Sequence, residues 1–178
     1  MAEDSYVSCF EESFRRVISS EGNYTDDSSD PGNWTGGKVG IGTLKGTKFG
    51  ISAASYPSLD IKNLTPNQAR EIYYKDYWQK LHLDEVEPAL AYQIFDAAVQ
   101  HGRVRAIKIL QQALGITADG VFGIATSKSL KNCNQVLLTL QYIKQRLEYY
   151  TKIGNFNLYG RGWVTRMVAN LDYAIKAM

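Results

Sequence analysis

Apolar residues recur at helical spacing along most of this chain. Val7, Phe10, Phe14, Val17 and Ile18 predict an amphipathic helix from about residue 7 to residue 20. The period is lost over residues 21–51, which Gly22, Gly32, Gly36, Gly37, Gly40, Gly42, Gly46 and Gly50 punctuate. Within it, residues 38–44 and 47–52 are expected as short strands around a Lys45-Gly46 turn. A glycine-dense loop of this length is as a rule functional or disordered, and the embedded Trp34, Ile41, Leu44, Phe49 and Ile51 argue for order. Helical spacing then returns. Thr65-Pro66-Asn67-Gln68 reads as a capping box that starts a helix carrying Ala69, Ile72, Tyr73 and Tyr77. Pro88 opens the next, with Leu90, Ala91, Ile94, Phe95 and Ala98 facing inward and a stop at Gly102. Another runs over residues 103–114 to a Gly115 cap, followed by an Asp119-Gly120 turn. Val136, Leu137, Leu140, Ile143 and Leu147 mark a long helix, and Trp163, Val164, Met167, Val168, Leu171 and Ile175 a last one. The fold class expected is mainly α, with a small hairpin and loop region.

Composition narrows the partners. The 178 residues, 44% hydrophobic and 21% charged, suit one compact domain or a domain with a small subdomain. A net charge of +2 gives no nucleic-acid footprint. Cys9 and Cys133 lie far apart without metal spacing, and His82 and His101 are isolated, so neither a metal nor a cofactor is expected. The acidic start, Met1-Ala2-Glu3-Asp4, does not read as a secretory leader, and no apolar run reaches the ~20 residues of a spanning helix. Export and stable membrane insertion are therefore not expected from this chain.

The candidate chemistry begins at Glu21, where the first helix meets the loop. A carboxylate at a helix C-terminus faces the negative pole of the dipole and unpaired carbonyls, which raise its pKa and suit it to donate a proton. An ordinary solvated helix-end Glu is the competing reading. Asp30, with Asp26 and Asp27 nearer in sequence, could supply the second carboxylate of a glycoside-cleaving pair. Tyr24 and Trp34 are the loop aromatics placed to stack on sugar rings. In the helix after Pro88, Gln93, Asp96 and Gln100 share the face opposite Ile94 and Phe95. They line either a sugar groove or a solvated surface.

At these residues the chain resembles a known family. Glu21-Gly22-Asn23-Tyr24, Asp30-Pro31-Gly32 and Gly46-Thr47-Lys48-Phe49-Gly50-Ile51 are similar to the signature of glycoside hydrolase family 108, peptidoglycan N-acetylmuramidases that are often phage endolysins. The likeness continues in Ile72-Tyr73-Tyr74-Lys75-Asp76-Tyr77-Trp78, in Phe95-Asp96-Ala97-Ala98-Val99-Gln100-His101-Gly102, and in Gly162-Trp163-Val164-Thr165-Arg166. Leu110-Gln111-Gln112-Ala113-Leu114-Gly115 and Asp119-Gly120-Val121-Phe122-Gly123 resemble the family's peptidoglycan-binding region. Asn23 replaces a glycine, Ile124-Ala125 stands where proline is usual, and about a dozen residues, 33–45, are inserted between the second and third motifs.

The resemblance implies a lysozyme-like helical fold, with residues 1–102 catalytic and residues 103–178 a peptidoglycan-binding-like region packed on them as one unit. It implies hydrolysis of the β-1,4 bond after N-acetylmuramic acid, with Glu21 as general acid. Asp30 and Thr47 are expected to face Glu21 across one cleft with Tyr24 at its base. Peptidoglycan glycan strands are the expected partner. The protein is expected as a monomer in the host cytoplasm until a holin or export pore gives it access to the wall. A lytic transglycosylase and a non-catalytic wall-binding protein are the alternatives.

Overall fold

The computed structural model describes residues 2–20 and 23–177. Seven α-helices and one two-stranded hairpin organise the described residues: α1 (Ala2–Ser20), β1 (Thr47–Lys48), β2 (Ile51–Ser52), α2 (Pro66–Tyr73), α3 (Pro88–His101), α4 (Arg103–Ala113), α5 (Ile124–Lys131), α6 (Gln135–Thr151) and α7 (Phe156–Ala177). This is the mainly helical, lysozyme-like class expected. The chain forms two compact units, residues 11–76 and residues 1–10 with 77–178. The unit boundaries fall within α1 and after Asp76.

In the smaller unit the glycine-rich loop is ordered by backbone hydrogen bonds. The hairpin pairs Thr47 with Ser52 and Lys48 with Ile51, leaving Phe49-Gly50 as a two-residue turn. Both turn residues have positive φ, +53° and +74°, as a type I′ turn requires. The strand expected over residues 38–44 does not form. Gly40 and Gly42 adopt positive φ there, breaking the extended run, and Trp34 and Leu44 make a single bridge instead. Residue 46 must be glycine. At φ +83° a Cβ would stand 2.4 Å from the Thr25 carbonyl and 2.7 Å from the Tyr24 ring. The capping box at Thr65 and Gln68 is formed in both directions. Phe14, Val17, Ile51, Ile61, Leu64, Ala69 and Tyr73 supply the apolar interior, with Phe14 and Tyr73 rings 5.7 Å apart.

The larger unit is built around α3. Residues 89–98 of this helix are all buried, and α4, α6 and α7 pack against it. Alanines at 89, 91, 97 and 98 let neighbouring backbones approach closely. Phe10, Trp78 and Phe95 form an edge-to-face aromatic cluster, with centroids 5.3 to 6.0 Å apart. Burial in α6 and α7 departs from the pattern read in sequence. Ile143 and Met167 are buried as their spacing predicts, but Leu140 is 44% and Val168 63% exposed. The apolar stripes of these helices are wider than the surface available to cover them. Cys9 and Cys133 are not joined in a disulfide. No described helix is long and apolar enough to cross a membrane.

Candidate functional site

Glu21 and Gly22 lie outside the described residues, so the expected general acid and its distance to Asp30 lie outside this description as well. What is described is the loop that follows them.

One buried amide ties that loop together. Asn33, 0% exposed, ends the short 3₁₀ turn Pro31–Asn33. Its Nδ2 donates to the Asp27 carbonyl at 2.9 Å, and its Oδ1 accepts from Thr47 Oγ1 at 2.7 Å. Its backbone carbonyl accepts from both Lys45 N (3.0 Å) and Gly46 N (3.1 Å). The inserted residues therefore leave and re-enter the loop at a common point, and Thr47 is held beside the Asp30-Pro31-Gly32 turn as though nothing intervened. Asn33 is the positioning residue that sequence reasoning missed. The available signal was its place directly after Asp-Pro-Gly, where an Asx side chain reaches the nearby backbone.

The loop carboxylates differ in how they are engaged. Asp30 is exposed, and its Oδ1 accepts from Gly32 N at 2.8 Å, which caps the 3₁₀ turn. Asp27 accepts from Ser29 N and Ser29 Oγ. These bonds, the backbone one first, lower its pKa. Tyr24 is half-buried, and its hydroxyl pKa is raised by desolvation and then by the Asp26 carboxylate, to which it hydrogen-bonds. Its neighbour Thr25 pairs with Thr47 across two backbone bonds of 2.9 and 2.8 Å. Trp34 donates its indole N–H to the Ser28 carbonyl at 2.9 Å, which turns it back on the same loop. Tyr24, Asp30, Trp34 and Thr47 are thus brought into one hydrogen-bonded loop system.

Gln93, Asp96 and Gln100 lie elsewhere, in the larger unit. Asp96, 1% exposed, accepts from Arg166 Nε (2.9 Å) and Nη2 (2.6 Å) on Oδ1, and from Asn170 Nδ2 (2.8 Å) on Oδ2. Arg146 Nη1 stands 2.6 Å from Oδ2 as an ion pair, off hydrogen-bonding geometry. Burial alone would raise the Asp96 pKa, but Arg146 and Arg166 outweigh it and hold it at about 2. Gln93 Nε2 donates to the Asn170 carbonyl, and Gln100 Oε1 accepts from Arg146 Nη2 and the Tyr150 hydroxyl. This polar stripe meets neither a groove nor solvent along most of its length. Helices α6 and α7 cover it and bring matching charges. Asp96 and Arg166 belong to two of the sequence motifs, which makes this ion pair the contact that joins them. The neighbouring His101 is lowered to a pKa of about 4 by burial first and by Arg146 next.

A family model described as Glycosyl hydrolase 108 matches residues 14–102, half of the chain. No curated protein matches it in sequence. Among solved structures, the chain is similar to SagA of Brucella abortus, at 27% identity and a TM-score of 0.76, covering 94% of each chain.

Proposed function

This chain belongs to glycosyl hydrolase family 108, at family level a peptidoglycan-degrading glycoside hydrolase, and on that premise we propose that it is an N-acetylmuramidase of endolysin type. It cleaves the β-1,4 bond between N-acetylmuramic acid and N-acetylglucosamine by adding water. Glu21 protonates the leaving oxygen, and the Asp30–Thr47 region, tied by Asn33, forms the adjoining wall with Tyr24 and Trp34 as sugar-stacking surfaces. The observation that carries this reading is the family match over residues 14–102. It includes Glu21 and the whole loop, and the likeness to SagA extends the fold over nearly all of the chain.

The deciding experiment compares wild type with Glu21→Gln on purified peptidoglycan. The amide keeps the shape of the side chain but cannot give up a proton, so turbidity clearance should slow by ~10²–10⁴-fold with little change in thermal melt. Clearance by the variant at the wild-type rate would overturn the assignment. The released ends should carry reducing muramic acid. Anhydro ends would identify a lytic transglycosylase, and no released ends at all a wall-binding protein. As an endolysin the protein resides in the host cytoplasm and reaches the wall through a holin lesion or a pore. Induced cells should then stay intact until the membrane is permeabilised, and lysis without permeabilisation would exclude that route.

A further inference from the structure

Helix α7 is apolar over more of its surface than its own fold covers. Met167 and Ala174 point into the core, where they share a buried cluster with Ala89, Ile143 and Tyr150. A second stripe runs beside them. Val164, Val168, Leu171 and Ile175 are spaced by 4, 3 and 4 residues, which keeps all four within a ~60° arc of the helix. This is the spacing of an interhelical seam, yet Val168 and Ile175 are 63% and 64% exposed. On α6, Leu137, Leu140, Lys144 and Leu147 repeat the pattern with spacings of 3, 4 and 3, and all four are exposed. Between the two stripes lies an open groove of about 460 Å³, lined by Leu140, Leu147, Val164, Leu171 and the buried Ile143. The whole face belongs to the larger unit.

Shape and charge fit this face to a copy of itself. The projecting edge formed by Val168 and Ile175 adjoins the groove. A second copy related by a two-fold axis therefore seats its edge in the groove and receives the first copy's edge in its own. Lys144 pairs with Glu148 at 2.8 Å on α6, and Lys176 with Asp172 at 2.6 Å on α7. The order is base then acid along α6 and acid then base along α7. One rim laid parallel to the other thus opposes unlike charges at both positions. These four charges sum to zero, which suits a copy of the same face better than a partner of one sign. The area is sufficient as well. A 17-residue helix such as α6 is ~25 Å long, and two helices side by side are ~20 Å wide. The face offers ~500 Å² per copy, or ~1,000 Å² for a pair, where specific interfaces begin.

We propose that this face joins two copies of the chain, in place of the monomer expected from the sequence. An antiparallel pair of α7 helices centred between Val168 and Leu171 sets Val168 of one copy against Leu171 of the other, and Val164 against Ile175. The same register lays Asp172 and Lys176 of one copy along Lys144 and Glu148 of the other.

The full chain is sedimented at ~1–100 µM, where modest interfaces divide between free and bound. With rising concentration wild type should pass from the 20.0 kDa of one chain to twice that mass. Val168→Glu and Ile175→Glu, at sites already exposed, should each weaken association about tenfold or more, while circular dichroism stays that of wild type. Lys144→Glu/Glu148→Lys sets like charges together and should weaken it too, and adding Asp172→Lys/Lys176→Asp should restore it. Wild type monomeric throughout would overturn the proposal. So would a dimer that the glutamate variants leave intact, or one that the second charge exchange fails to restore. A monomer that binds anionic phospholipid vesicles would assign the face to lipid and overturn it likewise.

Discussion

Asn33 shows how one side chain can organise a loop whose candidate chemistry belongs to its neighbours. Its amide joins the Asp27 carbonyl to the Thr47 hydroxyl, and both bonds are shielded from water. Asn33→Ala leaves those partners unmatched, which should lower stability by about 1–3 kcal/mol. Amide exchange should accelerate at Thr25, Gly46 and Thr47 before it does in α3. Equal acceleration in both places would mean that Asn33 stabilises the chain generally and does not position the loop. A second residue-scale expectation concerns Asp96. Asp96→Asn removes the carboxylate that the buried Arg146 and the partly exposed Arg166 guanidinium groups face, and uncompensated buried charge costs ~3–5 kcal/mol. A urea midpoint close to wild type would show that the network relaxes around the loss.

At the scale of elements, the hairpin and the loop closing on it depend on backbone conformation more than on side-chain burial. Gly46 and Gly102 both have φ +83°, but a Cβ at Gly102 meets nothing within 4 Å, while at Gly46 it strikes Thr25 and Tyr24. Alanine should therefore be costlier at 46 than at 102. The common strain is ~1–2 kcal/mol, and the collision at 46 adds to it. Paired thermal melts check this, and equal losses would refute the steric account. Helix α3 presents the complementary case. Its polar face is useful only because α6 and α7 bring Arg146, Arg166 and Asn170 to it. A chain cut after Gly102 leaves that face without partners and the apolar face without α4. Residues 1–102 alone should show no cooperative melt, and a sharp transition in that fragment would demonstrate independent folding.

For the whole molecule, the buried titrating groups set the response to acid. His101 has a pKa of about 4, against an ordinary 6.5. The unfolded chain accepts a proton that the folded one refuses, so this stability is complete above pH 6.5 and declines as pH falls towards 4. Asp96 is likewise depressed, from 3.8 to about 2. Its contribution is complete above about pH 4 and is lost as pH falls through 2. Both act in the same direction, so resistance to urea should fall steadily below neutrality. Replacing His101 with Asn should flatten the upper part of that decline, by on the order of 1–2 kcal/mol given the partial exposure of the ring. An unchanged slope between pH 6.5 and 4 would assign the acid sensitivity to other groups.

Local rules were sufficient for much of this protein. The Thr65 capping box, Pro88 as a helix start and the stops at Gly102 and Gly115 follow from hydrogen-bonding needs within a few residues of each other. The spacing of Phe10 and Phe14, and of Leu90, Ile94 and Phe95, placed inward faces correctly because a helix fixes which residues share a side. Motif order carried the family. Tertiary structure decided what such rules leave open. Gln93, Asp96 and Gln100 read equally well as a groove or a wet surface, because the residues that cover them lie 46 to 77 positions later in the chain. The outward turn of Leu140 and Val168 depends on how much neighbouring surface exists, which periodicity does not record. The hairpin register was settled by Phe49 accepting positive φ and by Thr25 and Asn33 fixing Thr47 from outside the strand. Where a partner decided the outcome, as Arg146, Arg166 and Asn170 did for the polar face of α3, it was distant in sequence, and only folding brought it near.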